Sequence, residues 1–87
     1  MNAYFVDAGD AYTVVEHIAD LPRYEEWRVC HLVYAETRGR AKSLFVRNYG
    51  EAIEFSDIRS CRLVAKDVKA GEGLAHPNDP LWEKVPE

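Results

Sequence analysis

The chain has 87 residues, of which 47% are hydrophobic and 11% aromatic, and its 15 acidic and 11 basic side chains leave a formal net charge of −4. A chain of this kind makes one domain that buries about 60–65% of its unfolded surface; it is too apolar to be disordered and too short for a deep cleft between two lobes. Mild acidity gives no global attraction to nucleic acid or to an anionic membrane, and no apolar run approaches the ~18–20 residues that cross a bilayer.

Ala3-Tyr4-Phe5-Val6 opens the chain as a short β-favouring run, and Asp7-Ala8-Gly9-Asp10 after it has turn chemistry. Residues 11–18, rich in β-branched and aromatic types, then read as the second strand of an N-terminal hairpin. A helix over 11–20 is the alternative, and the χ1 stiffness of Thr13-Val14-Val15 argues against it. Residues 21–27 read as a connector in which Pro22 opens one short helical turn, with Glu25 and Glu26 near its start. Residues 28–35 form the strongest strand; they are apolar on both alternating faces, as a central strand requires.

The clearest helix runs from Thr37 to Gly50. Thr37 suits the N-cap, Ala41, Leu44, Phe45 and Asn48 or Tyr49 fall on one face, and Gly50 suits a left-handed end. Gly39 in the first turn costs about 0.5–1 kcal/mol relative to Ala. A last strand is expected near 57–66, and the order strand, helix, strand admits a crossover that makes the two strands parallel, beside an antiparallel alternative. From Ala70 onward Gly71, Gly73, Pro77, Pro80 and Pro86 argue against regular structure. The expected organisation is an α+β domain over 1–69, a small sheet of about four strands packed on one main helix near 38–49. A tail over 70–87 then packs back through Leu81-Trp82.

Cys30 and Cys61 sit in apolar, strand-like contexts and read as buried free thiols, inert to nucleophilic chemistry, with a disulfide between them as the alternative. His17, His31 and His76 are scattered, and neighbouring Cys30 and His31 point to opposite faces of a strand, so no metal ligand set emerges. The chain has neither GxxxxGK[ST] nor a local cysteine signature. No catalytic residue, metal or cofactor is expected, and the chain reads as a non-enzymatic binding protein.

Charge is segregated. Residues 37–47 carry four cations and no acid, which leaves seven cations against all 15 acids elsewhere. Arg38 and Arg40 open the helix at the end that favours anions, a local rule broken without visible compensation. One expectation is therefore an anion- or nucleic-acid-binding site on Thr37, Arg38, Arg40, Lys42 and Arg47; the competing one is that the protein's own acids fill it. The acidic stretch around Tyr12, Tyr24, Glu25, Glu26 and Trp27, with Trp82 from the tail, reads as a surface for a protein partner, since Tyr and Trp dominate binding hot spots. Val46, off the buried stripe of the helix, hints at a homodimer contact.

The segment from His31 to Ser43, followed by Phe55 to Arg62, resembles small uncharacterised proteins of bacteriophages and other mobile elements. These share a strand ending in Ala-Glu-Thr/Ser, a helix opening with basic residues and Ala, and a later Asp-Ile-Arg strand. The hairpin and the tail lie outside the resemblance. It implies an accessory protein that blocks a host protein stoichiometrically, such as an anti-CRISPR masking a nucleic-acid-binding defence component. With no basic-then-apolar leader and no membrane-spanning run, the expected location is the cytoplasm of a bacterial host.

Overall fold

The first two-fifths of the chain forms a β-hairpin much longer than the sequence suggests. In the computed structural model, which describes residues 1–85, strand β1 spans Asn2–Ile18 and strand β2 spans Leu21–Ala35. Their turn is Ala19-Asp20, both at positive φ (51° and 64°), the condition for a tight two-residue hairpin turn. The expected turn at residues 7–10 is instead a β-bulge, where the register steps between Asp7 and Asp10. Gly9 adopts φ 80° there, and the Asp7 carboxylate accepts the Gly9 N–H at 2.8 Å. The turn chemistry is thus absorbed inside a continuing strand.

The expected connector at 21–27 is strand as well. Pro22 pairs with His17 near the start of β2, where the partner strand lies on one side only and a missing N–H is tolerated.

Helix α1 spans Arg38–Tyr49. The Thr37 hydroxyl accepts the Arg40 N–H at 3.1 Å, and the Gly50 N–H, at φ 62°, donates to the carbonyls of Val46 and Arg47. Two 3₁₀ turns follow, at Gly50–Ala52 and Phe55–Asp57. The second carries a reciprocal cap between Glu54 and Asp57, which delays the strand expected from 57. Strand β3 spans Ser60–Ala65, so Asp57-Ile58-Arg59 precedes it. Strand β4 is Gly73–Leu74, and a 3₁₀ turn covers Pro80–Lys84. The tail therefore holds regular structure after all. Asp79 caps the last turn and Pro80 sits at its first position, where no N–H is needed. Pro86 lies outside the described residues.

The four strands form one antiparallel sheet in the order β3-β1-β2-β4. Because β2 and β3 both oppose β1, they run in the same direction with β1 between them. The strand–helix–strand unit is thus a crossover over an intervening strand. Both sheet faces are covered near β3 and β4. Ala41 and Phe45 of α1, with Ile53, bury Tyr4, Val6, Val29, Val33 and Ala35 on one face. On the other, Ala75, Val68, Leu81 and Trp82 cover Ala3, Leu32 and Tyr34. Two covered faces are why 28–35 reads apolar on both alternations. Val46 is half-buried and packs against the helix-side cluster rather than standing clear of it.

Candidate protein-binding surface on the ribbon

Beyond the bulge the body touches the hairpin only at Ala11 and Trp27. Residues 10–28 stand out as a two-stranded ribbon of eight registered pairs, and every residue but Ala11 is exposed. At ~3.4 Å per residue the ribbon is about 30 Å long. It stretches the molecule to 53 × 25 × 19 Å and raises the radius of gyration to 14.9 Å, against about 12 Å for a compact chain of this length.

The register sorts the ribbon's side chains. Both bulges lie in β1, whereas β2 alternates without interruption. Leu21, Arg23, Glu25 and Trp27 therefore share the face of Val29 and Val33, beneath the helix, while Pro22, Tyr24 and Glu26 share the face of Leu32 and Tyr34. Cross-strand partners follow: Tyr12 opposes Glu26, Val14 opposes Tyr24 and His17 opposes Pro22 on the outer face. On the helix side Ala11 opposes Trp27, Thr13 opposes Glu25, Glu16 opposes Arg23 and Ile18 opposes Leu21.

Apolar side chains here are exposed to an unusual degree: Tyr12 68%, Tyr24 58%, Ile18 58% and Leu21 70%. Trp27 is better held. Its indole N–H donates to the Thr13 hydroxyl at 2.7 Å and its ring lies 6.3 Å from that of Tyr49. At the ribbon's base Arg28 pairs with Asp7, whose carboxyl is held below the usual range chiefly by that guanidinium. Glu16 and Arg23 pair along the ribbon. Asp10, Asp20, Glu25 and Glu26 form no ion pair among the described residues. With five acids and two arginines, residues 10–28 carry a net charge of −3.

All five expected partner-binding residues of the 12–27 stretch lie on one ribbon, but its register splits them: Tyr12, Tyr24 and Glu26 share the outer face, whereas Glu25 and Trp27 lie on the helix-side face. Trp82 does not join them. It is half-buried against Phe5 and His31, with ring centroids 6.3 and 5.1 Å away, and its N–H donates to the His76 carbonyl. Sequence reasoning missed Val14, Val15, Ile18 and Leu21 as surface residues, because a β-favouring run implies a buried face. The available signal was in the second strand, where Arg23 and Glu25 on one alternation and Glu26 and Arg28 on the other leave neither free of charge.

The cations of α1 do not converge. Arg40 donates twice to a single Glu72 oxygen, at 2.9 and 2.6 Å. Arg38 donates to the Cys61 carbonyl at 3.0 Å and lies 5.9 Å from the Tyr4 ring centre. Cys61 is on β3 and Glu72 adjoins β4, so the two guanidiniums part toward opposite edges of the sheet. The Thr37 hydroxyl is occupied as the N-cap. Lys42 and Arg47 form no ion pair among the described residues.

Cys30 and Cys61 are free and only half-buried, on strands separated by β1; burial raises both thiols above their ordinary pKa. A shallow cleft of about 410 Å³ lies at the ribbon base, with Ala8, Ala11, Val29 and Ile53 as floor and Asp10, Asp57 and Arg59 at its rim. Among the described residues no group of three His, Cys, Asp or Glu side chains is placed to hold a metal ion, and no helix is long and apolar enough to cross a membrane. Comparison with protein-family models, with curated proteins and with solved structures finds no match.

Proposed function

We propose that this chain is a non-enzymatic binding protein that engages a protein partner stoichiometrically through the outer face of its ribbon. The observation that carries this reading is the exposure of Tyr12, Val14 and Tyr24 on a projecting, acidic, two-stranded element that the body leaves uncovered. Two-stranded ribbons are marginal in water by themselves, and exposed aromatics at high density are the chemistry of binding hot spots. The acids around them favour a basic partner and would speed encounter with it. The resemblance to mobile-element accessory proteins makes a nucleic-acid-binding host defence protein the first partner class to test. The basic helix supports an anion-binding reading less well, because Arg40 is neutralised within the chain and Arg38 is hydrogen-bonded to a carbonyl.

The test is a pull-down from bacterial host lysate with the native chain and with Tyr12→Ala/Tyr24→Ala, followed by calorimetry on any captured protein. A partner at fixed stoichiometry, bound at least about 30-fold more weakly by the double variant, is the expected result, since each hot-spot truncation costs about 2 kcal/mol or more. Equal capture by the two proteins, or no stoichiometric partner, refutes the reading.

A further inference from the structure

The ribbon leaves one backbone edge unused. In the sheet β2 lies between β1 and β4, but β4 pairs only with Val33 and Tyr34, and the Leu32 carbonyl accepts the Ala75 N–H at 2.8 Å. That bond fixes the direction of the groups along the strand. The N–H and C=O of even-numbered residues of β2 point away from β1, and those of odd-numbered residues point toward it. Exposed Tyr24, Glu26 and Arg28 therefore hold their amides and carbonyls out to solvent, with half-buried Cys30 at the inner end. Among the described residues no hydrogen bond from outside β1 reaches this backbone. Pro22, also even-numbered, has no N–H to offer and closes the lane at the tip. The opposite edge, on β1, is a poorer template. It takes β3 only as far as Asp7, its register shifts twice, and the Arg59 side chain lies against the first bulge at Gly9. Bulges break the even spacing of outward groups that an added strand must match.

We infer that the outer edge of β2 docks an extended segment of the protein partner as an added β-strand, in the lane that β4 begins. The inference rests on the protein-binding reading and adds a docking edge beside the outer face. From Tyr24 to Cys30 the lane is about 20 Å long, the length of about seven extended residues. Main-chain hydrogen bonds to Tyr24, Glu26 and Arg28 hold the segment, and its side chains select it. Charge defines the selection. Glu25 lies on the helix-side face and Glu26 on the outer face, and neither has an ion-pair partner among the described residues. Opposite charges pair favourably across strands, and the residues that face Glu25 and Glu26 across the lane are consecutive. The matching segment therefore carries two consecutive cations within a β-favouring stretch. A second copy of this chain fits the lane less well. In antiparallel two-fold pairing, the register that sets Glu26 against Arg28 also sets Pro22 against Leu32, where Ala75 already stands. Registers shifted to clear β4 oppose Glu26 to itself or Glu25 to itself, or pair only the tips.

The experiment follows amide NMR shifts and hydrogen exchange of the full chain with a defined probe, the capped peptide Thr-Val-Thr-Lys-Lys-Thr-Val-Thr. In the free chain the amides of Tyr24, Glu26 and Arg28 should exchange faster than those of Arg23, Glu25 and Trp27, which β1 already pairs. The peptide should bind saturably with one site and slow the first three by at least about tenfold while leaving the others unchanged. A version with Glu-Glu in place of Lys-Lys should not bind. Glu26→Pro should bind the peptide at least about tenfold more weakly than Glu26→Ala, because both lose the charge but only proline loses the outward N–H and fills the lane. Unchanged exchange at Phe45 shows that both variants keep the body folded. No saturable binding overturns the inference, as does slowing without the alternation or equal binding by Glu26→Pro and Glu26→Ala. Protection of Tyr24, Glu26 and Arg28 in the free chain that grows with concentration would put a second copy in the lane, and also overturns it. The two readings fail separately. A captured partner that needs Tyr12 and Tyr24 but binds Glu26→Pro and Glu26→Ala alike keeps the protein-binding reading and removes strand addition.

Discussion

The hairpin has two halves that obey different rules, although the same two strands run through both. Between residues 2–7 and 29–35 each strand is buried on both faces, by α1 on one side and by the tail on the other. Between residues 10 and 28 the backbone hydrogen-bond ladder continues, yet only Ala11 and Trp27 at its base touch the body and the rest of both faces is open. Backbone pairing alone thus carries the ribbon outward, while side-chain burial holds the body. Sequence changes in the body should act on stability and changes in the ribbon on association.

The largest effect that tests this division is at Phe45, which is fully buried beneath the sheet. Phe45→Ala should cost about 3–5 kcal/mol, through lost transfer energy and the cavity left behind. Tyr12→Ala with Tyr24→Ala should change stability by about 0.5 kcal/mol or less per site, as exposed positions do. Urea melts of the two proteins check the contrast. A large loss from the tyrosine pair would mean that the ribbon is covered in solution.

A smaller effect separates the halves at their junction. Asp7 accepts the Gly9 N–H inside the bulge and pairs with Arg28. Asp7→Ala leaves that N–H unsatisfied and should cost about 1–3 kcal/mol. The same carboxylate gives acid sensitivity of a definite sign. Its pKa is lowered on folding, so its contribution is full above the unfolded value of 3.8 and is lost as pH falls through the folded one. His31, whose pKa is lowered by burial, binds its proton more readily when unfolded, so stability also falls as pH drops below 6.5. Denaturant midpoints between pH 7 and 3 should decline in two stages, and His31→Gln should flatten the first alone.

The smallest effect lies at the ribbon's tip. Ala19 holds φ 51°, a conformation that costs about 1–2 kcal/mol for a residue with a Cβ. Ala19→Gly relieves this but adds unfolded-chain entropy, so a net gain of about 0.5 kcal/mol is expected. Amide exchange at Ile18 and Leu21 should slow, while exchange at Val33 stays unchanged.

Much of the helix was legible from local chemistry: Thr37 as cap, Ala41 and Phe45 on the buried face, Gly50 as the end. Capping and periodicity are short-range effects that a linear reading can see. The hairpin turn was misplaced because Asp7-Ala8-Gly9-Asp10 carries the usual turn residues and Ala19-Asp20 does not. At residues 7–10 the Asp7–Arg28 pair and the Arg59 side chain, 2.7 Å from where a Gly9 Cβ would stand, favour a bulge instead. All of those partners are distant in sequence. The charge segregation was real, but its meaning changed: Glu72, 32 residues from Arg40, occupies one of the cations expected to bind an outside anion.

What the sequence determined was the inventory: a strand apolar on both sides, a capped helix, an anchoring Leu81-Trp82 and an unequal distribution of charge. These follow from composition and spacing over a few residues. Tertiary structure decided how far the hairpin continues past its support, which apolar residues remain in water, and which cations already have partners. Those outcomes depend on where the cover ends, and cover is a property of segments that meet only when the chain has folded.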